Sequence, residues 1–222
     1  MIKAIIFDFD GTIIDTETAW YVAFQEAYRA HGVDLTVETY AQCIGTSLHS
    51  FNPYDYLVTH LQMDVDLDAL RERVQRRHTE LMEAEQMRPG IRYFLDSAKD
   101  SSLRIGLASS SNERWVRKFL KQLGIEGYFE CMRTADHVKK VKPDPELYIQ
   151  ALECLSVKPE EAIAVEDSPN GSKAAVAAGL KCVVAPNRIT RLLPFEKVHR
   201  MADSLDEIDF HSLLSEEQEL IR

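Results

Sequence analysis

Three short apolar runs, each breaking off into a polar loop, constrain the fold of this chain more than any other feature. The first, AIIFDF at 4–9, stops at Asp10-Gly11-Thr12, where glycine frees the backbone and the polar side chains can bond locally. The second, 103–108, runs into Ser109-Ser110-Ser111-Asn112, and the third, 162–165, into Glu166-Asp167-Ser168-Pro169-Asn170-Gly171. Apolar runs of this length read as strands buried on both faces of a parallel sheet. Helical stretches follow at 113–123 and 172–178, and Gly124 and Gly179 stand where helix-ending glycines are wanted. Weaker strands are expected at 130–134 and 182–185, with a helix at 145–155. Strands alternating with helices imply an α/β fold whose polar loops collect at the carboxyl ends of the strands, where open sheets bind ligands.

Residues 16 to about 85 read differently. Stretches 20–30, 37–43, 54–61 and 68–84 look helical, with no convincing strand among them. The last is polar, and its Leu70, Val74, Leu81 and Met82 form only a partial apolar stripe. We expect a small helical subdomain inserted after the first strand, hinged at Asp15-Thr16 and at 86–90. That gives a core of 1–15 and 87–222 and a cap of 16–86. The acidic tail from His211 is expected to form a surface helix.

Charge narrows the partners. Of 222 residues, 36 are Asp or Glu and 26 are Lys or Arg, a formal net charge of −10. Such a surface argues against nucleic acid and against anionic membranes. An anionic substrate remains compatible, because one cation and a few lysines can reverse the local field. No apolar run reaches the ~18 residues of a membrane span, and Met1-Ile2-Lys3-Ala4 carries no secretory pattern. Cys43, Cys131, Cys154 and Cys182 are far apart, without a Cys-x-x-Cys pair, so separate thiols in a reducing cytoplasm are expected.

Asp8 and Asp10 lie two apart at the end of the first strand, and period-2 geometry turns both carboxylates to one side. Two carboxylates that close repel unless a cation or proton intervenes, and Mg²⁺ is the economical cation for oxygen donors; ordinary loop aspartates are the plainer alternative. Glu166-Asp167 ends the third run, and because adjacent residues diverge on a strand, only one of them is expected beside Asp8. Ser109 and the helix start at Asn112 suit a phosphoryl oxygen, with Ser111 as a candidate helix cap. Lys142, in Lys139-Lys140-Val141-Lys142-Pro143-Asp144-Pro145, could neutralise a phosphate, whereas Lys139 and Lys140 are expected in solvent. No His or Cys is placed as a nucleophile. A carboxylate nucleophile on a phosphorus centre fits this set, with Asp8 attacking and Asp10 moving the proton.

With these residues in view, the chain resembles the haloacid dehalogenase-like superfamily of phosphotransferases. DFDGT at 8–12, LASSS at 107–111, KPDPELY from Lys142 and VEDSPNG at 165–171 match its four motifs in order. The resemblance implies a Rossmann-like, doubly wound parallel sheet with an inserted all-helical cap, of the β-phosphoglucomutase and phosphoglycolate phosphatase branch. It implies Asp8 as nucleophile, Asp10 as general acid and base, Thr12 as a brace for the loop, Ser109 on the phosphoryl group and Lys142 anchoring phosphate and nucleophile. It also implies Mg²⁺ on Asp8, the Asp10 carbonyl and Asp167, assisted by Glu166. The expected partner is a small phosphorylated metabolite; a monomer is the expected state, with a homodimer as the alternative.

Sugar-phosphate mutases of the branch carry a cap histidine where this chain has Trp20, and an arginine where Gly45-Thr46-Ser47-Leu48 has leucine. Both departures favour a phosphatase over a mutase, with His49 or Arg71 as the residues that could compensate. A non-catalytic phospho-ligand binding module is the remaining alternative, disfavoured because no core motif residue is missing. Trp20, Phe24, Thr46, Ser47 and His49 are the candidates to meet the leaving group, expected to be a sugar or polyol. Trp20 and Phe24 share a helical face, so packing inside the cap is the competing role for that pair.

Overall fold

The structure, a computed structural model, describes residues 1–44, 52–60, 62 and 64–215. One sheet runs through it: β1 Ala4–Phe7, β2 Arg104–Ala108, β3 Cys131–Arg133, β4 Ala162–Glu166, β5 Lys181–Val184 and β6 Arg200–Met201. The order is β3-β2-β1-β4-β5-β6, every pair parallel, with Ile5 level with both Ile105 and Ile163. The chain winds outward through β2 and β3, then returns to the other side of β1 as β4. The reversal opens a crevice at the carboxyl ends of β1 and β4.

The helices are α1 Thr16–Arg29, α2 Val37–Ala41, α3 Pro53–Asp55, α4 Leu67–Ala84, α5 Ile91–Asp100, α6 Glu113–Gln122, α7 Glu146–Leu155, α8 Pro169–Ala177 and α9 Phe210–Ser215. Alternation along β1 sorts the core into two layers. Ile5 and Phe7 join Phe94 and Leu95 of α5, Val116 and Phe119 of α6, and Phe210 of α9. Ala4 and Ile6 join Leu147, Ala151 and Leu155 of α7 and Ala174 and Ala175 of α8. A third cluster, with Tyr21, Phe24 and Tyr28 of α1 and Leu70 and Val74 of α4, forms the interior of a helical cap. The two passages between cap and sheet lie side by side, bridged at Ile14 and Met87, with Arg88 N donating to Ile13 O at 2.9 Å.

Several elements depart from the sequence reading. Helix α8 starts at Pro169 rather than 172, because the Ser168 side chain accepts from Gly171 N at 3.1 Å and proline opens the first turn. The helix expected at 54–61 is the short α3 continued by a π-helical turn, Tyr56–His60. Helix α5 and strand β6 had no counterpart in the reading. The tail helix buries Phe210 and Leu213 against the sheet layer, so only its other face meets solvent. Cys131 and Cys154 form a disulfide, with Cα atoms 6.2 Å apart, which corrects the expectation of four separate thiols. Packing of β3 against α7 brings these cysteines together across 23 residues of sequence, a proximity no local spacing reveals. Among the described residues, no helix is long and apolar enough to cross a membrane.

Candidate active site

The loop after β1 is built by backbone geometry. Asp8 N still donates to Val165 O at 2.9 Å, holding Asp8 level with the end of β4. The chain then turns through Gly11, whose φ of +87° disfavours any side chain. A Cβ there would lie 2.3 Å from Asp167 Oδ2, so the loop can approach the carboxylate only as glycine. Thr12 completes the approach, its hydroxyl donating to Asp167 Oδ1 at 3.2 Å.

Asp8, Glu166 and Asp167 bring one carboxylate oxygen each to within 4.8 Å of one another, all three residues being buried. Both members of the Glu166-Asp167 pair therefore face Asp8, correcting the expectation of one. The physical reason is that β4 ends at Glu166, so strand alternation no longer directs Asp167. Lys142 Nζ lies 2.5 Å from Asp8 Oδ1 and 2.7 Å from Glu166 Oε1, over the ring of Tyr148. Tyr148 donates to the same Glu166 oxygen at 2.6 Å. Asp167 Oδ2 accepts from Asn187 Nδ2 at 2.8 Å and Thr190 Oγ1 at 3.3 Å.

One ammonium does not balance this many buried carboxylates. Burial raises the Asp8 pKa to about 7 against the pull of Lys142, and Glu166 and Asp10 push the same way. Burial, then the charges of Asp8 and Glu166, hold Asp167 well above the carboxylate range. Burial disfavours the Lys142 ammonium, yet Asp8 and Glu166 outweigh it and its pKa ends above the ordinary value. A compact, buried trio of oxygen donors beside a single ammonium fits a hard divalent cation. The floor of the trio is shaped to match, since a Cβ on Gly171 would fall 2.0 Å from Glu166 Oε2.

Asp10 sits beside the trio rather than in it. Its Oδ1 accepts from Trp115 Nε1 at 2.8 Å and its Oδ2 from Ser109 Oγ at 3.3 Å. Burial raises its pKa, while hydrogen bonds from Ser111, Trp115 and Ser109 oppose the rise. Ser109, fully buried, also accepts from Ser111 N at 3.0 Å and so shapes the turn into α6. The cap of α6 is Asn112, whose Oδ1 accepts from Trp115 N at 2.9 Å, and not Ser111. Lys139 and Lys140 are exposed, and their backbone N–H groups donate to Glu146 Oε2 at 3.1 and 3.2 Å.

A cavity of about 480 Å³ opens over Asp8, Asp10, Lys142 and Asp167, closed on the cap side by Thr16, Glu17, Trp20 and Ile44. Of the cap candidates, Trp20 reaches it. Phe24 does not, being 5 % exposed inside the cap with its ring 4.8 Å from Tyr54. Arg71 is exposed, 3.2 Å from Asp68 and against the Tyr54 ring, so it does not compensate for the missing cap arginine. Thr46, Ser47, Leu48 and His49 lie outside the described residues. Sequence reading missed Glu17, whose pKa rises to about 8 through burial and then the nearby charge of Asp10. It missed Asn187 and Thr190, which no motif flags. It also missed Arg88, whose Nη1 donates to Gly11 O and, at 2.9 Å, to Ala185 O, while Nη2 donates to Pro186 O at 3.0 Å. Arg88 sits in the return passage from the cap, and only its position at a hinge could have marked it.

Fold and site define a class: a doubly wound α/β enzyme core whose topological switch point holds a buried acidic trio and a lysine under a helical cap. Residues 5–185 match the family model described as haloacid dehalogenase-like hydrolase. The chain belongs to that family. It is 45 % identical to the YhcW protein of Bacillus subtilis over 96 % of this chain and 97 % of that one. It is 32 % identical to a phosphorylated carbohydrates phosphatase of Thermotoga maritima, over 81 % and 82 % of the two chains. The crystal structure of CbbY from Rhodobacter sphaeroides in complex with phosphate is similar at a TM-score of 0.70 and 31 % identity, covering 93 % of this chain and 96 % of that one.

Proposed function

We propose that this hydrolase is a Mg²⁺-dependent phosphatase of small phosphate monoesters, of the sugar or polyol class, working through an aspartyl-phosphate on Asp8. The observation that carries the reading is the placement of Lys142 Nζ, 2.5 Å from Asp8 and 2.7 Å from Glu166, within an acidic trio at the mouth of a cavity. Likeness to a phosphorylated carbohydrates phosphatase supports the substrate class. In this reading residues 16–86 are the cap, and 1–15 with 87–222 are the core.

Lys142 holds Asp8 by one oxygen and leaves the other to attack phosphorus. As the Asp8–phosphorus bond forms, the ester bond breaks and Asp10 gives its proton to the leaving oxygen. Burial, which raises the Asp10 pKa, supports a proton being there to give. Asp10 then takes a proton from water, which attacks the phosphorus and frees Asp8. Ser109 steadies the phosphoryl group and Thr12 keeps the loop against Asp167. Asp8, Glu166, Asp167 and the Asp10 carbonyl would hold the Mg²⁺, which when bound supplies positive charge against the transferring oxygens.

Transfer to water rather than within a sugar phosphate is supported by Trp20, which stands in place of the mutases' cap histidine and is stacked on His78 at 3.7 Å. A screen of sugar, polyol, nucleotide and glycolate phosphates with Mg²⁺, scored for free phosphate and for isomerised product, tests the reading. Phosphate release matching substrate loss is expected; isomer without phosphate would overturn it. A monomeric state is part of this proposal. A cytoplasmic setting belongs to the same proposal.

A further inference from the structure

Among the described residues, His78 is the buried histidine of the cap interior, and it has no place in the mechanism above. It is 1 % exposed, and neither Nδ1 nor Nε2 has a hydrogen-bond partner among them. Burying such nitrogens unpaired costs about 1–3 kcal/mol, so the site holds an imidazole against a standing penalty. Leucine would fill similar space without it. What an imidazole offers instead is a flat ring, and two tryptophan rings lie nearly parallel to it. Trp20 stacks on it with ring centres 3.7 Å apart and planes 10° from parallel, and Trp115 lies 5.9 Å away at 14°.

The three rings join separate parts of the fold. Trp20 lies on α1 and His78 on α4, both in the cap, whereas Trp115 lies on α6, against the sheet. Phe119 packs edge-on to Trp115 at 4.6 Å from within the core. With Phe119 and His78 both beside its ring, the Trp115 indole has its N–H 2.8 Å from Asp10 Oδ1. This is shorter than the hydrogen bond that Ser109 gives the same carboxylate at 3.3 Å.

We propose that Trp115 is a positioning residue for Asp10, held from the cap side by the His78–Trp20 stack, so that the leaving-group acid is aimed only while the cap is seated on the core. The inference rests on the reading of Asp10 as that acid. The indole N–H fixes Oδ1, while Oδ2, which takes the longer bond from Ser109, is the oxygen that would turn to the substrate's leaving oxygen. A displaced cap would withdraw His78, free the indole to rotate, and release Asp10.

The test compares two substrates: a polyol phosphate, whose alkoxide needs a proton to leave, and p-nitrophenyl phosphate, whose phenolate needs little help. Asp10→Asn comes first and must cost more on the polyol ester; equal costs would refute the acid reading itself, whatever Trp115 does. Given that result, Trp115→Phe keeps a ring and removes the N–H. We expect kcat on the polyol ester to fall about tenfold with KM little changed, the kinetic size of one hydrogen bond to a charged group. The loss on p-nitrophenyl phosphate should be several-fold smaller. His78→Phe keeps the stack and should preserve the wild-type ratio between the substrates, whereas His78→Ala should move it toward that of Trp115→Phe. Equal losses on both esters in Trp115→Phe would make Trp115 merely structural, and no loss would make its hydrogen bond idle. A folded His78→Ala enzyme with the wild-type ratio would remove the cap from the account; if that variant fails to fold, Trp20→Leu replaces it with the same two outcomes.

Discussion

At the scale of single residues, environment rather than residue type sets the chemistry. Burial pushes the His78 pKa down to about 4, with a smaller contribution from the Lys118 charge. A histidine lowered on folding is neutral in the native state where the unfolded chain already binds a proton. Its contribution is therefore complete above the unfolded value near 6.5 and is lost as pH falls from there toward 4. The stability difference between wild type and His78→Phe should shift by about 3 kcal/mol against wild type over that window. Denaturant unfolding at several pH values checks it, and a constant difference would place a proton on the native imidazole. Gly11 yields a second expectation. With φ at +87° and a Cβ that would overlap Asp167, Gly11→Ala should lower stability by at least ~1–2 kcal/mol and suppress turnover. An active, equally stable Gly11→Ala protein would contradict the close approach of loop and carboxylate.

At the scale of elements, the strands of the central sheet and most of its helices were legible because each apolar run ends where its chemistry begins. The strands buried on both faces, β1, β2 and β4, announce themselves as unbroken apolar stretches, and Asp8, Ser109 and Glu166 follow directly from where they stop. Strand β6 did not, since two residues paired at a sheet edge carry no periodic signal. The convergence of Asp8, Lys142 and Asp167 was legible through the motifs, whereas the fan of Arg88 onto three carbonyls and the support of Asp167 by Asn187 arise from tertiary packing alone. The Cys131–Cys154 link is of the same kind, joining β3 to α7. Closing a loop of 23 residues in the unfolded chain, it should contribute about 3 kcal/mol. Unfolding midpoints with and without a thiol reductant check this, and identical midpoints would show that the link does not hold the two elements.

At the scale of the whole molecule, an acidic chain of net charge −10 brings three buried carboxylates and a lysine to one point of its sheet. Relief of the repulsion among Asp8, Glu166 and Asp167 should make Mg²⁺ stabilise the folded state as a whole. At ~100 times its dissociation constant a ligand adds about 2.7 kcal/mol, or roughly 5–10 °C in Tm for a protein of this size. Asp167→Asn should abolish most of that rise, and an equal rise in the variant would move the cation elsewhere. The account as a whole turns on Asp8 becoming phosphorylated. Rapid acid quench of the Mg²⁺-loaded enzyme during turnover of a polyol phosphate, followed by peptide mass analysis, reads this directly. A phosphoryl group on Asp8, absent from Asp8→Asn, is the predicted result. A phosphoryl group on any other residue, or phosphate release from Asp8→Asn at the wild-type rate, would contradict it.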